Sequence, residues 1–447
     1  MKIKFFSNLN TIKSSKISFK QKEIPWFAII SSPLEIPTDS FEQHTPKKDK
    51  IMQDIQKIMS AEITPSEIDP NFQDEYCNTI LHHIILDEKF DAFDFLMSDE
   101  DFVARIDLSV ADRNGENILF LAANSSDERY MQKILSNLDL TSRIDPNFQA
   151  SETKGTFLHI AAANENEKII EMILANEELV KKIDPNLQMC TGDTFLLMAC
   201  NNQNEKVIQS ILASSELVAK INPEVKNYHG QTILHHSAAN SNEKVIECLL
   251  NSSLIERLDV NALNNELRQT FVHFAVRNNN PKVLELIFTY PLLLEKIDVS
   301  AGCDGWCGTF FEFACDVESE SSLNLIMSNE DMMKKIEELA KRVPMRYLHC
   351  AVHNSNYRIL EQLFKKPELI KYTDPNLLHR NGGTLLENAV ANDDIRVLRL
   401  ILSDKELVTR INPYIKSFYG TTAFDLARTP KRQEKLELLK AIWKESD

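Results

Sequence analysis

Five histidines stand at one position of a repeated sequence pattern, and imidazole is the side chain that most often serves in acid–base catalysis or metal binding. They are His82, His159, His235, His273 and His349. A catalytic or metal site needs a single arrangement of groups, whereas recurrence at one position of successive units is typical of a structural framework. The sequence therefore predicts that these histidines are framework residues.

A second place for chemistry is the pair His349 and Cys350 with His353 close behind, since a thiol beside an imidazole can form a nucleophilic pair. Cys350 directly precedes the small residue of a predicted helix. A thiol at such a buried position is unreactive, because desolvation disfavours the thiolate. We interpret Cys350 as an inert core residue.

The segment Gly302–Gly308 contains Cys303 and Cys307, with Cys315 further on. A structural zinc site needs four ligands, and no second Cys or His pair follows at the spacing of a zinc finger. The sequence therefore predicts no metal site and no cofactor. The segment is interpreted as a glycine-rich hairpin that presents Trp306.

Composition excludes several classes of protein. The 447 residues carry a net charge of −16 and only ten glycines. An acidic chain is repelled by phosphate, which argues against a nucleic-acid binder, and few glycines leave little material for phosphate-binding loops. The sequence has no nucleophile elbow, Walker loop, kinase signature or His-Glu-x-x-His motif. We therefore expect a protein that is not an enzyme. No stretch approaches ~18 consecutive apolar residues, so we also expect no membrane span.

The elements that position these residues follow from an internal repeat, whose period of about 38 residues lies in the range of solenoid proteins. Ten anchors, each followed by a similar apolar pattern, recur at a nearly constant spacing. The anchors are Thr79, Asn117, Thr156, Thr194, Thr232, Thr270, Thr309, Arg346, Thr384 and Thr422. They define units 1 to 10 of a repeat array.

Each unit predicts two helices and a turn. The anchor threonine caps the first helix, and an alanine five positions later, as at Ala161, indicates close approach between successive units. Ile169, Ile170 and Ile173 show the helical spacing of the second helix. The segment Glu178–Ile183 is predicted to form an extra helical turn before the Asp-Pro-Asn linker.

The segment Gly155–Ala162, with the sequence Gly-Thr-Phe-Leu-His-Ile-Ala-Ala, and its counterparts resemble the ankyrin repeat, whose signature is Thr-Pro-Leu-His-x-Ala. The resemblance covers roughly residues 66–447, although an apolar residue replaces the proline and the period is longer than in the standard ankyrin unit. It implies an all-α solenoid of about ten helix-turn-helix repeats with short hairpins. It also implies that the histidine links neighbouring units and that the function is non-catalytic protein binding.

Four regions are predicted along the chain. Residues 1–47 form a basic, partly disordered leader, residues 48–65 an N-terminal capping helix, residues 66–430 the repeat array, and residues 431–447 a C-terminal capping helix. In unit 8 the hairpin signals disappear. We expect a helix over 331–340 to replace the hairpin there, the alternative being a seam between two arrays.

Divergent ankyrin arrays rich in Lys, Asn and Ile resemble effectors that intracellular bacteria deliver into host cells, for which a type IV secretion route is expected. The expected partner is a host protein with a basic patch, bound by a monomer in the cytoplasm of the bacterium or of the host. The alternatives are a eukaryotic cytosolic adaptor and an enzyme with an unrecognised active site in residues 1–65 or the Trp306 loop. No signal for export by the general secretory route is recognised.

Partner-binding residues are predicted at the turn tips that precede the anchors. These positions vary between units and are rich in aromatic residues and arginine, the types enriched at binding hot spots. They are Tyr76, Arg113, Met189, Tyr228, His229, Arg268, Trp306, Arg380, Phe418 and Tyr419. The centre is expected at Tyr228, His229, Arg268 and Trp306, the alternative being that individual rings fold back onto a neighbouring hairpin.

Overall fold

The computed structural model describes residues 46–302, 308–317, 319–354 and 356–443. Within these ranges every regular element is helical, and the helices follow one another as an all-α solenoid. Most of the predicted leader, together with Cys303, Cys307, Trp306 and residues 444–447, lies outside the described residues. Of the described helices, none is long and apolar enough to cross a membrane.

The first helix of each unit, called the inner helix, contacts the inner helices of the units before and after it. The anchor residue is the N-cap of the inner helix. In unit 4, the hydroxyl of Thr194 accepts the backbone N–H of Leu197 at 3.3 Å, a donor that would otherwise have no partner within the helix. The inner helices are Ile80–Leu86, Ile118–Asn124, Phe157–Ala163, Phe195–Asn201, Ile233–Ala239, Phe271–Arg277, Phe310–Asp316, Tyr347–His353, Leu385–Ala391 and Ala423–Ala427.

The second helix of each unit, called the outer helix, begins after a short polar turn and packs its apolar side against the inner layer. The outer helices of units 1 to 9 are Phe90–Met97, Arg129–Ser136, Glu167–Leu174, Glu205–Ala213, Glu243–Leu250, Pro281–Thr289, Glu320–Ser328, Tyr357–Phe364 and Ile395–Ser403.

A third helix distinguishes the unit from the predicted helix-turn-helix pattern. The extra residues after the outer helix form this third helix, which confirms the prediction that they are helical. The N-cap of the third helix is commonly Asn, Ser or Asp. The third elements are Glu100–Arg105, Leu138–Arg143, Glu177–Lys182, Ser215–Lys220, the 3-10 helix Ser253–Arg257, Pro291–Lys296, Glu330–Ala340, Pro367–Tyr372 and Lys405–Arg410.

Helices also cover both ends of the stack. Pro46–Met59 buries Ile51 and Ile55 against unit 1. A 3-10 turn, Pro65–Glu67, follows it. At the other end, the 3-10 turn Pro430–Arg432 leads into Gln433–Lys440, which contacts the last inner helix and the outer helix of unit 9. Both ends thus shield apolar surface that a terminal unit would otherwise expose.

Unit 8 lacks the hairpin that is seen in units 1 to 6, 9 and 10. The third helix before it, Glu330–Ala340, is longer than its counterparts and leads through a short turn directly to Tyr347–His353. The inner helix of unit 8 still contacts those of units 7 and 9. This confirms the prediction that a helix replaces the hairpin, and the stack has no seam at this point.

Asparagine side chains tie successive units together in a way the sequence analysis did not anticipate. At the C-cap of most inner helices an asparagine donates both amide hydrogens to backbone carbonyls of the preceding unit. Asn202, for example, bonds the carbonyls of Ala162 at 3.1 Å and Asn164 at 2.8 Å. The residues that repeat this bridge are Asn164, Asn202, Asn240, Asn278, Asn354 and Asn392. They form an asparagine ladder along the stack.

The alanine that follows each anchor by five positions sets the distance between inner helices. Ala161 is fully buried in the inner helix of unit 3, which contacts those of units 2 and 4. We expect Ala161→Leu to overpack this interface and to lower the free energy of unfolding by ~1–3 kcal/mol. The exposed Ala219→Leu is the matched control. An unchanged melting temperature for Ala161→Leu would contradict this packing.

Candidate functional site

The described turn tips are tight hairpins that follow the linker of their unit, which has the sequence Asp-Pro-Asn in units 1, 3, 4 and 9. In unit 4, the N–H of Met189 donates to the carbonyl of Asp193 at 2.9 Å and the N–H of Gly192 donates to that of Met189 at 2.8 Å. Gly192 adopts a φ of 82°, which a side chain strongly disfavours. The hairpin thus turns the chain sharply and presents the residues before the anchor.

Backbone hydrogen bonds join the successive tips of units 3 to 6 into one edge. The N–H of Cys190 donates to the carbonyl of Thr153 in the preceding tip at 2.6 Å, and that of Tyr228 donates to Thr191 at 3.1 Å. The carbonyl of His229 accepts the N–H of Asn265 at 2.8 Å. We call this row of tips the hairpin edge, and these bonds fix the spacing of the side chains that it carries.

The structure divides the ten predicted partner-binding residues by exposure. Six of them are exposed at the tips, namely Arg113, Tyr228, His229, Arg268, Phe418 and Tyr419. Tyr76, Met189 and Arg380 are half-buried. Tyr76 is covered by the guanidinium of Arg113, 4.8 Å from its ring centre, so the alternative of a ring packed on a neighbouring hairpin holds there. Trp306 lies outside the described residues.

Tyr228, His229 and Arg268 form the mid-array part of the hairpin edge. Tyr228 is 71% exposed although its ring lies against Gly192, where an added Cβ would be 2.8 Å from Cδ1. The imidazole Nδ1 of His229 lies 2.7 Å from a carboxylate oxygen of Glu266 in the next tip. Glu266 is a residue that the sequence analysis missed, because nothing in its local pattern indicates a partner in the preceding unit.

A second exposed aromatic group lies at the tip of unit 10. Phe418 is 72% exposed and Tyr419 is 80% exposed. As with Tyr228, the aromatic ring of Phe418 lies over the glycine of the preceding tip, and the N–H of Phe418 donates to the carbonyl of Gly382 at 3.0 Å. Each group combines an anchored backbone with a largely solvent-exposed ring.

The framework role of the recurring histidines is confirmed for four of the five. In His235, Nδ1 lies 2.9 Å from the hydroxyl of Thr232, and Nε2 lies 3.0 Å from the carbonyl of Gln269 in the next unit. The equivalent bonds form in units 1, 3 and 6. Burial lowers the pKa of His235 to about 4, which leaves this imidazole neutral at pH 7.

His349 departs from this pattern. Both of its ring nitrogens are buried without a hydrogen-bond partner among the described residues. His349 therefore lacks the well-formed bonds of the other four, although backbone groups of Leu377 and Pro375 in the next unit still act on its imidazole. Unit 8 has no hairpin before its inner helix. The N-cap of that helix is Arg346, where the other histidine-containing units have a threonine. Burial lowers the pKa of His349 to about 3.

Cys350 is fully buried, as predicted, and burial raises the pKa of its thiol well above the usual range. The sequence analysis nevertheless missed its neighbours. Its Sγ lies 3.7 Å from Nε2 of His379, which arrives from the hairpin of unit 9. Asp316, at the end of the inner helix of unit 7, completes a group of three potential metal ligands. Residues contributed by three different units give no local signal of such a group.

A family model agrees with the repeat pattern in the middle of the chain. Residues 158–259 and 214–301 match the family model of ankyrin repeats in three copies. The matching solved structures include the ankyrin repeat domain of Bcl-3, a member of the IkappaB protein family. It is 17% identical, covers 65% of this chain and 100% of its own, and has a TM-score of 0.36. No curated protein matches this sequence. The fold of the described residues is an all-α solenoid, and its residues 158–301 match ankyrin repeats.

Proposed function

We propose that this chain is a non-catalytic scaffold that binds a protein partner through the hairpin edge. The observation that carries the proposal is the exposure of Tyr228, His229 and Arg268 on tips whose backbones are bonded to their neighbours. Exposed aromatic and cationic side chains on a rigid support lose little conformational freedom on binding. They are also the side-chain types that supply most of the binding energy at protein interfaces.

The charge of the chain favours a partner with a basic patch. Exposed aspartates recur at one position of the linker in most units. They are Asp69, Asp107, Asp145, Asp184, Asp259, Asp298 and Asp374. The guanidinium of Arg143 donates to the carbonyl of Ile106 at 2.6 Å and pairs with Asp139 at 2.8 Å. The net charge of −16 accelerates the association of a basic partner, an effect that salt weakens.

We expect the combined replacement of Tyr228, His229, Arg268 and Trp306 by alanine to weaken partner binding by at least ~2 kcal/mol, roughly 30-fold in Kd. Helix content and the melting temperature should stay nearly unchanged, because the three described members are exposed. The partner is captured from host-cell lysate with the full chain and identified. Its affinity for both variants is then measured by calorimetry.

The matched control replaces Lys206 and Lys244 by alanine. Both are exposed on outer helices, where they pair with Glu167 and Glu205, and such surface pairs contribute little to stability. This variant should bind the partner as the unaltered chain does. Undiminished binding by the tip variant would refute the hairpin edge as the docking surface. If only the Phe418→Ala/Tyr419→Ala variant lost this much partner affinity, the centre of the docking surface would lie at unit 10.

We further propose that the protein is an effector of an intracellular bacterium that acts in the host cytoplasm. Its support is the Lys-, Asn- and Ile-rich composition together with the divergent ankyrin array. A fusion to a reporter enzyme that depends on a host cofactor, produced in bacteria with and without a functional type IV secretion system, tests this. Reporter activity in host cells that requires the secretion system is the expected result, and its absence would refute the proposal.

A further inference from the structure

Three consecutive units bring together side chains that can bind a metal ion. Asp316 ends the inner helix of unit 7, Cys350 lies in the middle of that of unit 8, and His379 belongs to the hairpin of unit 9. One potential ligand atom from each lies within 4.8 Å of the other two. Cys350 and His379 are buried, and Asp316 is half-buried.

A fourth potential ligand lies beside these three. His353 follows Cys350 by three positions on the same helix, a spacing that places both side chains on one face. Its Nδ1 lies 3.9 Å from a carboxylate oxygen of Asp316, and its ring centre lies 5.4 Å from that of His379. The imidazole of His353 is about half exposed. The group therefore offers one thiol, one carboxylate and two imidazoles.

The absence of a hairpin in unit 8 explains why this group forms. In units 1 and 5, the residue equivalent to Cys350 is a histidine that contacts the hairpin of its own unit. His83 lies 2.9 Å from Asp74, and His236 lies 3.2 Å from Asn227. Unit 8 has a helix in place of that hairpin. Cys350 instead contacts His379 of the following unit.

We propose that Asp316, Cys350, His353 and His379 form a tetrahedral zinc site that joins units 7, 8 and 9. Zinc accepts this mixture of sulfur, nitrogen and oxygen ligands, and ligand atoms around it lie about 3.3–3.7 Å apart. The separations of 3.7 Å between Cys350 and His379 and of 3.9 Å between His353 and Asp316 are close to that range, and the ligand atoms of Asp316, Cys350 and His379 all lie within 4.8 Å of one another. The ion would stabilise the stack at the unit that has no hairpin of its own.

The test uses the full chain, reduced and stripped of metal with a chelator, and titrated first with cobalt chloride and then with zinc chloride. Cobalt should produce a thiolate-to-metal charge-transfer band and visible absorption typical of tetrahedral coordination, both saturating at one equivalent. Zinc should displace the cobalt and raise the melting temperature, because it binds the folded chain.

Variants identify the ligands. Cys350→Ala should abolish the charge-transfer band, and His353→Ala, at a half-exposed position, should weaken cobalt binding by at least ~10-fold without unfolding the chain. Cys200→Ala removes an equally buried thiol from the inner helix of unit 4 and is the matched control, which should keep the band. Circular dichroism verifies that each variant is folded.

Two results with the cobalt band would overturn the proposal. They are the absence of a band in the unaltered chain and a band that persists in Cys350→Ala, and loss of that persisting band in the Cys303→Ala/Cys307→Ala variant would assign it to those two thiols instead. Undiminished affinity in folded His353→Ala and Asp316→Asn would likewise exclude the four-ligand site.

Discussion

Asn240→Ala should lower the free energy of unfolding by about 2–4 kcal/mol, because two buried carbonyls lose their hydrogen-bond donor. Asn240 is 5% exposed, and its amide nitrogen donates to the carbonyls of Cys200 at 2.9 Å and Asn202 at 2.8 Å. Its side-chain oxygen accepts the N–H of Asn242 at 2.9 Å. Alanine cannot replace any of these three bonds. Urea unfolding followed by circular dichroism measures the loss.

The matched control for Asn240→Ala is Asn251→Ala, at an exposed C-cap of the outer helix in the same unit. Surface substitutions of this kind change stability by less than about 0.5 kcal/mol. If both variants lost the same small amount of unfolding free energy, the asparagine ladder would have no special role in joining the units. A large loss confined to Asn240→Ala would support it as the main polar link between inner helices.

Mild acid should destabilise the whole array. His159, His235 and His273 are 1% exposed, and burial lowers the pKa of each from 6.5 to about 4. The unfolded chain therefore takes up protons below pH 6.5, while the folded chain does so only near pH 4. Their contribution to stability is complete above pH 6.5 and is lost as the pH falls towards 4. At pH 5 we expect a loss of about 1–2 kcal/mol for each histidine.

His235→Gln tests the cause of this pH dependence. Glutamine at the third position of a helix can cap the N-terminus as His235 does, but it does not titrate. Its stability at pH 7 should be close to that of the unaltered chain, and it should lose about 1–2 kcal/mol less between pH 7 and pH 5. His229→Gln, at an exposed tip, is the control. An identical pH dependence in all three proteins would exclude the buried imidazole as the source.

The equivalence of histidine and an acidic residue at this position explains how the repeat tolerates variation. In unit 9, Glu387 accepts the N–H of Thr384 at 3.0 Å and also accepts the hydroxyl of Thr421 in the next unit at 3.2 Å. It thus caps its own helix and links to its neighbour, as His235 does with an imidazole. Both side chains stand at the third position of their helix and bond both its N-cap residue and the following hairpin, so either can make the contacts that the repeat needs.

The sequence by itself determined the repeated unit. Threonine at the anchor, apolar residues at helical spacing and Asp-Pro-Asn in the linker act over a short stretch of chain, so their effects can be recognised locally. The same local signals predicted an extra helical turn over Glu178–Ile183, which the structure shows as the helix Glu177–Lys182, and the helix that replaces the hairpin of unit 8. The asparagines that bridge units were visible in the sequence, but the carbonyls that they bind belong to the preceding unit.

Only the tertiary structure decided which tip residues face solvent and which reactive groups meet. Tyr76 and Tyr228 lie on similar tips. The guanidinium of Arg113 covers the ring of Tyr76, whereas the ring of Tyr228 lies beside Gly192, which has no side chain to cover it, and stays exposed. Asp316, Cys350 and His379 come together because units stack and because unit 8 lacks a hairpin. Such contacts depend on the positions of neighbouring units, which no short segment of sequence encodes.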